Sequence, residues 1–150
     1  ISSSEDTWIE VFCKLSNMIF IDTNYILRYI LNDIPSQNKI VTNLFINSSR
    51  ENIRLFTDIV VIFEVYWVLK EYYNMEKVYI KNALSDICHL DIIEIPEKKL
   101  LIDTIKNLET FNYDFEDAYH FFYCQSQKIT NIDTFDKKFA SKFKSLSIVN

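Results

Sequence analysis

The sequence predicts an α/β domain built on a central, mainly parallel sheet. Short apolar runs suited to buried strands, such as Met18–Ile21, Asp91–Ile95 and Ile129–Ile132, alternate with amphipathic stretches of ten residues or more. That alternation is the signature of crossover units, which place helices on both faces of a parallel sheet. With 150 residues, 49% of them hydrophobic, the chain is the right size for one core and too apolar for disorder. No repeat, low-complexity segment or linker interrupts it, so residues 18–150 read as one domain.

Residues 1–17 read as a separate extension. Trp8, Val11, Phe12 and Leu15 fall on one face of a helix that Ser4 would cap. Met18 then opens the first buried strand and is a candidate native start, so the domain should fold without the extension. A short helix, Tyr25–Leu31, follows. Pro35 opens the next helix, because its missing N–H costs nothing at the first helical position; that helix should run to about Ser49. Arg54–Thr57 is a weak strand. Asp58 caps the apolar helix Ile59–Tyr73. Met75–His89 is amphipathic, with Val78, Ile80, Leu84 and Ile87 on its apolar side. Asp91–Ile95 is a strand stopped by Pro96, and Glu97–Leu108 and Asp114–Gln127 are helices. Strand Ile129–Ile132, helix Phe135–Phe143 and strand Leu146–Val149 complete the pattern.

Composition excludes several functions. Glycine is absent, against average usage of ~7%, so neither a P-loop nor a Rossmann fingerprint can be written. The net charge of −5 argues against nucleic-acid binding by positive charge alone. It leaves room for a nuclease whose acids hold metal. Three separated cysteines, Cys13, Cys88 and Cys124, without a Cys-x-x-Cys pair argue against a disulfide framework or a zinc site. A reducing, cytoplasmic setting fits them. No apolar run approaches the ~20 residues of a membrane span, and no secretory signal pattern is visible.

Four carboxylates stand in unusual surroundings. Asp22 follows the first strand directly, at the edge where open α/β sheets bind ligands; it could equally cap the next helix. Glu64 lies in the middle of the apolar run Ile59–Leu69. A helix apolar on every side is buried, so Glu64 needs a cation, a structural ion pair or a wet cleft. Asp114 and Asp117 open a helix, where capping and the positive helix end also suit them. Asp133 and Asp136 follow strand Ile129–Ile132, and Thr134 could cap the helix after it. Carboxylates gathered at one cleft repel one another unless a hard divalent cation joins them. The chemistry that follows is metal-assisted phosphodiester hydrolysis.

The order of these motifs resembles the PIN domain, and within it the VapC-type ribonuclease toxins. The resemblance rests on Phe20-Ile21-Asp22-Thr23-Asn24 with Arg28 one turn later, Phe63-Glu64-Val65-Tyr66, Asp114-Phe115-Glu116-Asp117-Ala118, and Thr134-Phe135-Asp136-Lys137-Lys138-Phe139. It covers Met18 to Asn150 and implies a three-layer α/β/α fold. It also implies a Mg²⁺- or Mn²⁺-dependent endoribonuclease. Asp22, Glu64, Asp117 and Asp136 would be its catalytic metal ligands. Asn24, Thr134, Asp133 and Asp114 would stand behind them, and Arg28, Lys137, Lys138 and Lys142 would touch RNA, with Lys144 in the same basic patch. His89 and His120 read as structural, and Cys124 as core. The partners implied are RNA, a small antitoxin and a second copy of the chain. The aromatics Tyr66, Trp67, Tyr72 and Tyr73 look exposed enough to support a homodimer. One departure stands out: Gln127-Lys128 occupy a turn where the family usually has glycine. The alternative is an interaction module that keeps the PIN fold without catalysis. A haloacid-type phosphatase is disfavoured because Asp22-Thr23-Asn24 lacks the second Asp.

Overall fold

The computed structural model of the chain describes residues 17–109 and 114–147; the expected N-terminal helix lies outside them. Three parallel strands, β1 (Met18–Phe20), β2 (Arg54–Phe56) and β3 (Ile93–Glu94), form a sheet in the order β1-β2-β3. Ile19 pairs with Leu55, and Leu55 with Ile93. Parallel strands require long crossovers, supplied here by α1 (Thr23–Leu31) and α2 (Pro35–Glu51), then by α3 (Ile59–Trp67) and α4 (Lys77–His89). Three helices follow the sheet: α5 (Lys98–Lys106), α6 (Phe115–Ser126) and α7 (Lys137–Ser147). The arrangement is the expected three-layer α/β/α type. Its core gathers Leu55 and Ile93 of the sheet with Ile26, Ile62, Val65, Leu84, Leu101 and Phe115 of the helices.

Local chemistry sets the helix boundaries. Pro35 stands at the start of α2, and Asp58 caps α3 by accepting from the Val61 amide at 2.9 Å. The α3 rod continues into a single π turn, Val68–Tyr72, where the Tyr73 amide reaches the Val68 carbonyl five residues back. Such widened turns occur often at functional sites. On α4, Ile80, Leu84 and Ile87 are buried, but Val78 faces outward.

Without glycine, the left-handed turns fall to Asn32, Asn52, Asn74, Glu97 and Lys128. At the end of α6, the Lys128 amide bonds the Gln125 carbonyl and the Ile129 amide bonds that of Cys124. This is a Schellman closure with lysine, at φ 58°, where glycine is usual. The left-handed conformation costs an L-residue roughly 1–2 kcal/mol, partly offset by the larger chain entropy glycine loses on folding. Lys128→Gly is therefore expected to stabilise the fold by about 1 kcal/mol, read as a higher urea midpoint at unchanged slope.

Four further expectations fail in the fold. Met18–Phe20 is a strand, but an exposed one: among the described residues β1 is the sheet edge, and Phe20 is 58% exposed whereas Ile21 is buried. Ile129–Ile132 forms no strand, because the segment makes no ladder with the open edge of β1 and Ile129 is exposed. Leu146 and Ser147 belong to α7 rather than to a final strand, the rest of which lies outside the described residues. Tyr66 is buried, packed 5.0 Å from Phe115; Trp67 and Tyr72 are the exposed aromatics of that group.

Candidate active site

The carboxyl end of β1 delivers Asp22 to the start of α1, where its Oδ1 accepts from the Tyr25 amide at 3.1 Å. Capping thus occupies one oxygen of the carboxylate. The next residue, Thr23, is nearly buried, and its hydroxyl donates to Glu64 Oε2 at 2.5 Å. That bond links the end of β1 to the middle of α3.

Glu64 is not buried, as its apolar surroundings in the sequence suggested. It lies on the solvent-facing stripe of α3 with Val60, 66% exposed, and Trp67. The buried stripe is Val61, Ile62, Val65 and Tyr66. Apolar content misleads here because Val60 and Trp67 spend their hydrophobicity on the surface. A solvent-facing Glu64 needs no buried counter-charge.

The other two acids, Asp117 and Asp136, line one cleft. Asp117 lies half-buried in the first turn of α6. Phe115 anchors that turn by packing edge-on to Phe63 at 4.9 Å. Asp136 caps α7, its Oδ1 accepting from the amides of Lys138 and Phe139 at 2.8 and 3.0 Å. Thr134, expected to cap this helix, instead accepts from the Asp136 amide at 3.1 Å. A cleft joins Asp117 and Asp136 with Asp133, Thr134 and His120. His120, which the sequence marked as structural, therefore borders the acids. Its spacing of three residues from Asp117 on one helix was the available signal.

Burial, then the charges of Asp136 and Asp114, push the Asp117 carboxyl above its ordinary value of 3.8. The folded chain holds this proton to higher pH than the unfolded chain does. Once ionised, Asp117 therefore opposes folding, increasingly so as pH rises from 3.8 through the raised value. In EDTA, Asp117→Asn is expected to melt above the parent at neutral pH and to match it at acid pH. Equal melts at neutral pH would remove the charge-crowding argument.

The remaining expected residues divide. Asn24 and Arg28 line a second cleft with Asp22. Arg28 binds both oxygens of Asp33, at 2.5 and 2.6 Å, and holds that carboxyl below its ordinary value. Asp114 occupies the cap position of α6, yet its side chain accepts from Lys70 at 3.0 Å instead of capping. Lys138 and Lys142 face a cleft beside Asp117, whereas Lys137 and Lys144 are exposed on α7. Cys88 is buried in α4, its thiol pushed up to about 12 by burial; Cys124 is half-buried.

The structure thus brings the acids together as two sets. Glu64 is tied to the neighbour of Asp22, and Asp117 feels Asp136. Among the described residues, no three acidic, histidine or cysteine groups stand close enough to share one ion. Asp22, Asp117 and Asp136 all sit at helix N-termini, whose partial positive charge eases the gathering of carboxylates. No described helix is long and apolar enough to cross a membrane. Compared with known proteins, residues 19–143 match the family model described as PIN domain. No curated protein and no solved structure matches the chain.

Proposed function

The chain belongs to the PIN domain family, and from that premise we propose that it is a metal-dependent endoribonuclease acting as the toxin of a type II toxin–antitoxin pair. PIN domains are generally nucleases and typically use divalent metal ions. The observation that carries the reading is the Thr23–Glu64 hydrogen bond, which ties residues 41 apart and sets Glu64 beside the strand end bearing Asp22.

The donor chemistry fits a hard cation: every group offered is a carboxylate oxygen, the ligand type that Mg²⁺ and Mn²⁺ take. Burial first, and then the Asp136 and Asp114 carboxylates, raise the Asp117 pKa, and a bound cation would favour its ionised form. Asp22, Glu64, Asp117 and Asp136 would be the ligands of one or two ions, contributed by the two sets of acids. When bound, such an ion lowers the pKa of water and stabilises charge on the phosphate. The chain's own residues set the stage for this. Asp22 and Asp136 are held in place by their cap bonds through one oxygen each, and the Thr23 hydroxyl fixes Glu64. Asn24 borders Asp22 where a substrate oxygen would approach.

The test is incubation of the purified chain with a labelled single-stranded RNA in Mg²⁺, Mn²⁺ or EDTA. Cleavage with the cations and none in EDTA is expected; cleavage in EDTA overturns the metal role. Induced expression should arrest growth, and the absence of arrest would sink the toxin assignment while leaving the nuclease standing. A symmetric dimer is proposed from the exposed Trp67 and Tyr72, to be checked by light scattering. A non-catalytic PIN-fold module is the second reading. It is favoured by one observation, that no three ligand-type groups share an ion's reach among the described residues.

A further inference from the structure

A cleft of about 340 Å³ opens beside Asp117, and four lysines line it: Lys70, Lys77, Lys138 and Lys142. They come from three separate places in the fold, the π turn, the first turn of α4 and one face of α7. Two carboxylates, Asp114 and Asp117, share the wall. Lys70 pairs with Asp114 at 3.0 Å and with Glu71 at 3.4 Å, but in a chain of net charge −5 four lysines against two carboxylates still make a cationic wall.

We propose that this cleft is the track along which the backbone phosphates of a single-stranded RNA leave the acidic site, a role that rests on the nuclease reading. Position is the first argument. Asp117 and Phe139 line both the lysine cleft and the acid cleft with Asp136, so the two run into each other. A polyanion held at the carboxylates has neutralising groups next to them.

Charge crowding is the second. Burial, together with Lys70 and Lys142, lowers the affinity of Lys77 for its proton, and the acids Asp114 and Glu109 only partly oppose this. Cations pressed together on a partly desolvated surface are stabilised by an anion. The third argument is the aromatic neighbour. The Lys70 ammonium lies 4.6 Å from the ring centroid of Trp67, which is 39% exposed. Phe139, half-buried, lines the cleft itself, and an aromatic side chain among basic groups is how single strands are bound without reading sequence.

The sequence pointed to Lys138 and Lys142 but gave no sign of Lys70 or Lys77. Lys70 lies in the π turn, whose geometry has no marker in residue type.

The experiment measures binding apart from chemistry. Anisotropy of a labelled single-stranded oligoribonucleotide is titrated with full-length Asp22→Asn protein in EDTA, over a range of KCl. In that background the pair Lys77→Glu and Lys142→Glu is expected to weaken binding tenfold or more. For single strands, log K falls with log salt by about 0.7 per phosphate neutralised, so each lost contact should flatten the slope by about that amount. The neutral pair Lys77→Gln and Lys142→Gln should move in the same direction by less, which guards against misfolding of the charge-reversed protein. Lys99→Glu, on the exposed face of α5, should bind as its parent does. Unchanged affinity and slope in both lysine pairs would overturn the proposal. So would displacement of the RNA by an equally charged poly-glutamate at lower concentration, since that assigns the cleft to an acidic protein segment. If the cleft variants weaken binding while wild-type protein with Mg²⁺ cuts no RNA, the track stands and the nuclease reading falls.

Discussion

Asp22→Asn is expected to remove Mg²⁺-dependent RNA cleavage while leaving the fold intact. Two effects at one residue separate because they use different features of the carboxylate. As a helix cap, Asp22 needs only an oxygen that accepts from the Tyr25 amide. Asn caps as well as Asp does, so the melt in EDTA should not fall. As a metal ligand, Asp22 needs its charge, which the amide lacks. Stabilisation lost from the transition state converts to rate at about 1.4 kcal/mol per factor of ten. A metal site acting as Lewis acid supplies several kcal/mol, so a loss of roughly a thousandfold is expected. Glu64→Gln should behave alike: an exposed Glu64 leaves no buried cation unpaired when its charge goes. A structural ion pair predicts the reverse, marked destabilisation in EDTA. Melts in EDTA and Mg²⁺ beside a cleavage assay decide it. Variants that still cut RNA would remove the metal-site reading altogether.

The largest effect on stability is expected from Phe115→Ala. Phe115 is fully buried and packs against Phe63 at 4.9 Å and Tyr66 at 5.0 Å. Truncating a buried Phe costs about 3–5 kcal/mol, because the contacts vanish and the cavity closes only in part. Total stability is typically about 5–15 kcal/mol, so the variant would stand near its threshold. At ~2–4 °C per kcal/mol for a chain of this size, the melting temperature should drop by roughly 6–20 °C. Asp117 lies two residues further along α6, so cleavage should fall even where the variant remains folded. A loss under about 1 kcal/mol in urea titration would show that the α3–α6 contact is not anchored at Phe115.

What could be read from the sequence follows the range of the forces involved. Local signals succeeded: Pro35 opens α2, Asp58 caps α3, and Asp22 sits where a strand hands over to a helix. Nonlocal outcomes were harder. Ile129–Ile132 is apolar enough for a strand, but a strand exists only through its neighbour, and the run finds none in the described structure. Glu64 looked buried because hydrophobicity was counted along the chain, whereas exposure depends on the stripe of α3 that faces the core. Asp136 reads from the sequence as a candidate metal ligand, whereas the capping of α7 that it performs is assigned in that reading to Thr134. Lys128 illustrates a missing signal: lysine gives no hint of a left-handed turn, and only the absence of any glycine shows that some residue must adopt one.

The place of β1 at the edge of the described sheet bears on how the molecule comes apart. Ile21 donates inward to Phe56 at 2.7 Å, so the alternation along the strand turns the Phe20 amide toward the side on which no described strand pairs. β2, by contrast, bonds on both flanks, from Arg54 to Asn17 and from Leu55 to Ile92. Backbone hydrogens of β2 should then exchange with solvent only when the whole domain opens, and those of β1 through smaller, cheaper fluctuations. Asp22 is attached to the end of β1, the less secured of the two. Warming would thus loosen Asp22 at temperatures where the rest of the core is still closed, and on the nuclease reading loss of cleavage would run ahead of melting.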